Sequence, residues 1–292
     1  KNLYETNFFK NIQIKLSNNT LIINIKENPI ISNIKIKGIK AKRIKEDINK
    51  VLTLREKSSF NEVVIFKEKE KVSNLLKNQG YISSEINILK ENLDDNKINL
   101  IFDINLGEKA KIKKISFIGK KIFKDQKLKN VIVSEEYKFW KFLSGKKYLN
   151  ETLIDFDKQL LKNFYLNKGY YNVSINSSFA KQINTDEFEL IFNIEANEKV
   201  IFRNLNLELP LDYNSENFSE INDLFEKLKG ENYSINKIKD ILDKIDQIVL
   251  EEQFETIKAS VEENLIENKL NLKFTILETD KLFVEKINVF GN

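Results

Sequence analysis

Cysteine, histidine and methionine are all missing from the 292 residues. Without cysteine no disulfide and no thiolate metal site can form, and the redox compartment stays undetermined. Without histidine as well, the commonest general bases, nucleophiles and metal ligands are gone. Methionine is absent even at position 1, which gives the sequence the look of a fragment or a processed chain. The glycines, at 38, 80, 107, 119, 145, 169, 230 and 291, form neither a GxGxxG nor a phosphate-binding loop. No apolar run approaches the roughly 18–20 residues of a membrane-spanning helix, and no signal peptide is present. A large excess of one charge is lacking too: Lys+Arg 48 against Asp+Glu 44 leaves a net +4, with both signs interspersed. That reads as a solvated surface and not as a nucleic-acid footprint, which needs clustered cations. The paired acids Asp94-Asp95, Glu135-Glu136, Glu251-Glu252 and Glu262-Glu263 read as turns and polar faces. These absences argue against an enzyme, a bound metal and any other cofactor.

What is present is a repeat. The stretch from Leu100 to Gly119, LIFDINLGEKAKIKKISFIG, matches Leu21 to Gly38, Leu190 to Leu209 and Leu272 to Gly291 without a gap. Leu21, Phe102, Phe192 and Phe274 fall in one column, and Ile34, Ile115, Leu205 and Ile287 in another. The copies recur every roughly 80–90 residues, enough for each unit to bury a small core of its own. Within a copy, apolar residues at every second position make one buried face of a strand, a polar turn follows, and a second alternating run begins. The glycine ending that run suits a tight exit with positive φ.

Between copies the pattern is helical. After strand Ile34-Ile36-Gly38, Ile44, Ile48, Val51 and Leu52 lie on one helical face. A second helix starts after Asn61, a good N-cap, runs to Asn78 and stops at Gly80. Its apolar stripe, Val63 to Phe66 and then Val72, Leu75 and Leu76, is smeared. Strand Ile86-Ile88 and the Asp94-Asp95-Asn96 turn complete a β-α-α-β-β order. The next unit repeats it. Leu128, Val131 and Ile132 mark a first helix; Asn150 caps a second with Leu153, Phe156, Leu160 and Phe164 inward, ending at Gly169. Between them sits an aromatic and basic insertion, Glu135 to Tyr148, holding the only tryptophan, Trp140. The third unit carries Ile221, Leu224, Phe225 and Leu228, then Ile238, Ile241, Leu242, Ile245 and Ile248. Gln253-Phe254 stands where the other units have Gly-Tyr. Residues Lys1 to Asn7 read as a helix end. Short polar hinges are expected around Glu27–Ile31, Gly107–Lys111 and Asn197–Val200.

A tandem β-α-α-β-β unit with Gly-Tyr closing its second helix and I-x-I/F-x-G opening each copy resembles the POTRA (polypeptide-transport-associated) domain. The phrase joining an L-x-F-x-I strand through an acidic turn to I-x-F-x-G looks like that of the BamA-type outer-membrane assembly factors. KFWKFLSGKKY resembles the aromatic loop of that family's third module. The fold class expected is α+β, a tandem array of modules with two helices on one face of a small mixed sheet. On this register residues 1–29 close a first module, 30–108, 109–197 and 198–280 are the second, third and fourth, and 281–292 open a fifth. Leu209 for Gly, Gln253 for Gly and Asn7 for Gly depart from the pattern at single positions.

The resemblance implies a periplasmic scaffold on the outer membrane of a Gram-negative bacterium, ahead of the protein's own C-terminal membrane barrel. It also implies partners: nascent outer-membrane β-barrel proteins and accessory assembly lipoproteins, with no nucleic acid. A related two-partner secretion or organellar import barrel is an alternative. So is a KH-like RNA-binding array, which shares the element order but needs a GXXG loop; no two glycines here are three apart. A small sheet covered on one face leaves unpaired edges able to accept an added strand. In the third module that edge is Tyr170 to Phe179, the strand the family uses. The partner-binding residues expected are Tyr170, Tyr171, Val173, Ile175, Ser177 and Phe179, with Trp140 and Phe142 of the insertion. For Trp140, core, interface and base-stacking roles stay open. The basic run Lys109-Lys111-Lys113-Lys114 reads as a solvated face.

Overall fold

The structure, a computed structural model, describes residues 8–17, 20–140, 144–211, 213–251 and 257–278, with 177–179 and 257–258 described as backbone alone. Lys1 to Asn7, Phe142, Gln253-Phe254 and the strand expected at 281–292 lie outside these residues.

The chain opens with an antiparallel hairpin, β1 (Phe9–Ser17) and β2 (Thr20–Glu27). A β-α-α-β-β set follows: β3 (Ile30–Lys37), α1 (Lys42–Val51), α2 (Glu62–Asn78), β4 (Glu85–Leu93) and β5 (Lys97–Asn105). Its sheet has the order β3-β5-β4, with β5 parallel to β3 and antiparallel to β4. The middle set is β6 (Lys111–Lys120), α3 (Asp125–Lys129), a 3-10 turn at Gly145–Lys147, α4 (Glu151–Leu166), β7 (Ser174–Gln182) and β8 (Glu187–Glu195), in the order β6-β8-β7. The last is β9 (Ile201–Glu208), a 3-10 turn at Ser215–Phe218, α5 (Ser219–Leu228), α6 (Ile235–Glu251), β10 (Ile257–Ile266) and β11 (Lys269–Glu278), in the order β10-β11-β9. The expected α+β class with small mixed sheets is what the chain forms.

The fold divides into two compact units: Lys1–Ser116 with Val133–Phe156 and Phe179–Leu190, and Phe117–Ile132 with Asp157–Ser178 and Ile191–Asn292. The middle set is split between them, since β6, β7 and β8 each start in one unit and end in the other. In the first unit Ile98, Leu100, Phe102 and Ile104 of β5 face Ile44, Ile48, Val72 and Leu76 of the helices in one core. In the second, Phe192 stacks on Phe117 at 5.6 Å and Phe274 on Phe225 at 5.4 Å. Phe102, Phe192 and Phe274 are all fully buried, whereas Leu21 of the same column, in the first hairpin, is exposed.

Local signals hold where they are local. The Asn61 carboxamide accepts from the N–H groups of Val63 (2.9 Å) and Val64 (3.2 Å), and that of Asn150 from Leu153 (2.9 Å), so both are N-caps. Gly38 and Gly119 both have φ of +82°. A second reason for glycine appears only in three dimensions. A Cβ at Gly38 would stand 2.0 Å from the Ile104 carbonyl oxygen, and one at Gly119 2.5 Å from that of Ile194. In the first two complete sets the first strand thus runs close against the central strand where only hydrogen fits.

Two helix readings need correction. On α4 the buried residues are Asp157, Leu161, Tyr165 and Leu166, while Phe156 is 51% exposed. The apolar pattern misplaced the face because a buried carboxylate, Asp157, belongs to the inward stripe and a polar residue is invisible to a hydrophobic count. Glu68 stands at the same position of α2, seven residues after its N-cap, as Asp157 does after Asn150. It accepts from Thr53 N–H (2.7 Å), Thr53 Oγ1–H (2.6 Å), Leu54 N–H (3.4 Å) and Lys71 Nζ (2.7 Å), pinning the α1–α2 loop. Burial works to raise the Glu68 pKa, but the bonds from Lys71 and Thr53 outweigh it and hold the carboxyl below its ordinary range. This also explains the smeared stripe of α2: Ile65, Glu68, Val72 and Leu76 turn inward, and Val63 and Phe66 stay exposed. The second correction concerns α3, which ends at Lys129. Val131 and Ile132 follow in a turn, where Ile132 is still buried.

Candidate functional site: an open sheet edge and two module joints

β7 is at the end of its sheet order, so one side of its backbone meets no strand of that sheet. The residues leading into it have other work. Tyr170 is buried, its ring edge-on to Phe123 at 5.9 Å and Tyr165 at 5.7 Å. Tyr165 in turn donates its hydroxyl to the Lys121 carbonyl. Tyr171 packs edge-on against Tyr233 at 4.9 Å and donates its hydroxyl to Glu263 at 2.5 Å. That bond, and then burial, push the Tyr171 phenol up to about 12. Val173 is buried and Ile175 half-buried; Ser177 and Phe179 lie in β7 with only their backbone described. The edge therefore offers backbone, while Tyr170, Tyr171 and Val173 are engaged inside the second unit.

The insertion is different. Phe139 and Trp140 are 78% and 60% exposed, rings edge-on at 4.8 Å, with Lys138 Nζ 5.7 Å from the Trp140 ring. Trp140 is not a core residue. The insertion is tied down at its ends, where Tyr137 N–H donates to the Ile112 carbonyl (2.6 Å) and Glu135 N–H to that of Lys146 (3.0 Å).

The basic run separates into two kinds of lysine. Lys111, Lys113 and Lys114 pair with Asp186 (2.5 Å), Glu187 (2.9 Å) and Glu189 (2.8 Å). The bond from Lys111 holds the Asp186 carboxyl low, and Asp186 in turn raises the Lys111 pKa. Lys109 turns the other way, its ammonium 5.0 Å from the Tyr81 ring and 4.9 Å from that of Tyr148. Burial first, and then the charges of Arg43 and Lys147, push its pKa down.

Lys109 precedes Ala110, and here the expected polar hinge proves to be a buried clasp. Ala110 donates its N–H to the Gly80 carbonyl (2.9 Å) and accepts from Leu149 N–H (2.9 Å). In the second unit Val200 donates to the Gly169 carbonyl (2.8 Å) and accepts from Tyr233 N–H (2.8 Å). Both linker residues are fully buried. Beside the first clasp opens a cleft of about 530 Å³ that includes Arg43, Asp47, Gln79, Lys109, Lys146 and Tyr148. The polar periodicity of the sequence did not single out Lys109; its repeat column did hold the signal, because Lys199 occupies the same place before Val200.

Among the described residues no group of three or more acidic side chains is placed to hold a metal ion, and no helix is long and apolar enough to cross a membrane. The model of the POTRA family, "surface antigen variable number repeat", matches residues 29–107 and 110–197, more than half of the chain. The chain belongs to the POTRA family. Its relatives are BamA-type factors: over its whole length it is 27% identical to "Outer membrane protein assembly factor BamA" of Buchnera aphidicola and 24% identical to that of Neisseria meningitidis. It spans 48% and 37% of those two proteins. Among solved structures, Haemophilus influenzae BamA POTRA3-5 aligns with 86% of this chain and 96% of its own, at 14% identity and a TM-score of 0.50. That likeness is one of fold.

Proposed function

We propose that this chain is the periplasmic scaffold of an outer-membrane β-barrel assembly factor of a Gram-negative bacterium, working without catalysis or cofactor. The observation carrying the reading is the end-to-end match of the whole chain to BamA proteins, the tandem POTRA sets included. The module boundaries proposed are 30–108, 109–197 and 198–280, between the back half of a first module and the opening of a fifth. The exposed apolar residues of the first hairpin, Ile14, Leu16, Leu21 and Ile23, support the first of these partial modules. In the three complete sets the corresponding strands carry two helices.

Nascent outer-membrane proteins bind, in this reading, by adding a strand to β7, and accessory lipoproteins dock on the same array. Backbone recognition suits clients whose sequences differ, because each peptide unit offers the same donor and acceptor. Exposed Trp140 and Phe139 offer a separate apolar contact. Counting by twos from Ile183, whose N–H donates to the Glu187 carbonyl (2.8 Å), the amides of Ser174 and Asn176 face the open side. Asn176→Pro should therefore abolish binding of extended β-client peptides, while Asn176→Ala leaves it nearly intact. Fluorescence anisotropy with labelled peptides reads this, and circular dichroism checks folding. Equal weakening by both changes overturns strand addition.

A further inference from the structure

We propose that the cleft beside Lys109 in the first unit binds the carboxylate of an acidic peptide segment. Three of its side chains, Arg43, Lys109 and Lys146, are cationic. Among the described residues none of them has a carboxylate within ion-pairing distance, whereas Lys111, Lys113 and Lys114, next along the chain, each do. The one carboxylate of the cleft is already engaged: Asp47 accepts from Gln79 Nε2 at 3.0 Å and lies 3.8 Å from Lys50 Nζ. Lys109 is half-buried, flanked by two tyrosine rings and set among other cations, with buried Lys147 behind. Gathering like charges in a partly dry place opposes folding. A local violation of this kind marks a place shaped for something other than stability. An incoming carboxylate supplies the missing charge and makes charge-assisted hydrogen bonds.

The shape selects the source. A cleft of about 530 Å³ is far larger than a lone inorganic anion fills, and its walls combine the Tyr148 ring with the carboxamides of Asn78, Gln79 and Asn150. Aromatic and amide walls around one cation fit a peptide side chain and its flanking backbone. The matching cleft in the second unit, about 440 Å³, supplies the contrast. Lys199 lies 5.7 Å from the Tyr170 ring there, but the cleft holds its own carboxylate, Glu231, paired with Lys237. There the carboxylate neutralises one of the three lining cations, Lys168, Lys199 and Lys237, from inside the cleft, whereas Asp47 of the first cleft pairs with Lys50, which does not line it.

The test uses the full chain and a short fluorescein-labelled peptide of alternating glutamate and glycine, followed by anisotropy. Lys109→Gln should weaken binding about tenfold, the loss of one charged hydrogen bond. Arg43→Gln, on the exposed side of α1 where folding is not at stake, should weaken it several-fold. Lys199→Gln removes the same charge and should change nothing. Equal losses for Lys109→Gln and Lys199→Gln overturn the proposal, because they mean diffuse attraction. So does equal binding of a peptide with glutamine for glutamate, or displacement by inorganic phosphate at the peptide's own concentration. The site is independent of β7: Asn176→Pro should leave acidic-peptide binding intact, so the two readings fail separately.

Discussion

The two module joints share one backbone and differ in nearly every side chain. At the first, Asn150 Nδ2 donates to the Asn78 carbonyl (2.5 Å) and Thr152 Oγ1 to the Asn78 carboxamide (3.2 Å). At the second, the Asn167 carboxamide accepts from Ser234 Oγ (2.8 Å) and Asn236 N–H (3.0 Å). Asn78 and Asn167 occupy the same column, two residues before the glycine, yet reach the next helix by different bonds. The first joint has Tyr148 beside the glycine and a lysine between two rings; the second has Asn232 there and adds the Tyr171–Glu263 bond. The linker–glycine hydrogen bonds, made by main chain, persist through substitution. Side chains then decide what each cleft can hold and how strongly the joint is fastened.

The sharpest way to break this comparison is to empty one core in each unit. Phe102→Ala and Phe274→Ala should each cost roughly 3–5 kcal/mol, from lost burial and the cavity left behind. Urea unfolding followed by amide NMR should show Phe102→Ala melting the first unit while signals of the second persist, and the converse for Phe274→Ala. One cooperative transition lost in both would show the units are not separate.

A smaller effect distinguishes the joints themselves. Gly80 and Gly169 have φ of +93° and +96°, so alanine strains both. At Gly80 the new Cβ also meets the Tyr148 Cβ at 2.9 Å, whereas at Gly169 it meets that of Asn232 at 3.2 Å. Gly169→Ala should cost about 1 kcal/mol and Gly80→Ala about 2, read by thermal unfolding. Equal costs would mean that Tyr148 gives way freely.

The smallest change is Tyr171→Phe, which removes a bond with no counterpart in the first joint, where Ile82 holds the column. It should cost about 1 kcal/mol near neutrality. Its sign with pH is fixed. The phenol titrates near 10 when unfolded and about 12 when folded, so its contribution is whole below pH 10 and fades as pH rises toward 12. The wild type should lose stability in the second unit over that window, and Tyr171→Phe should lose less. Tyr233, whose pKa burial also raises, keeps the variant from being flat.

Sequence by itself determined the repeat, the element order, both asparagine caps and the column of buried phenylalanines. The elements and caps depend on spacing within a dozen residues, where strand and helix periods and cap chemistry act, and the column on their recurrence every roughly 80–90 residues. Tertiary structure alone decided four things. A carboxylate, not Phe156, joins the buried stripe of α4. Gly38 yields its space to the Ile104 carbonyl. Lys111 finds an acid across the sheet while Lys109 finds two rings, and two of the linkers read as hinges, at Ala110 and Val200, are clasped in the core. Each turns on which distant backbone or side chain arrives next to a residue, and two neighbouring lysines of the same charge differ only in that.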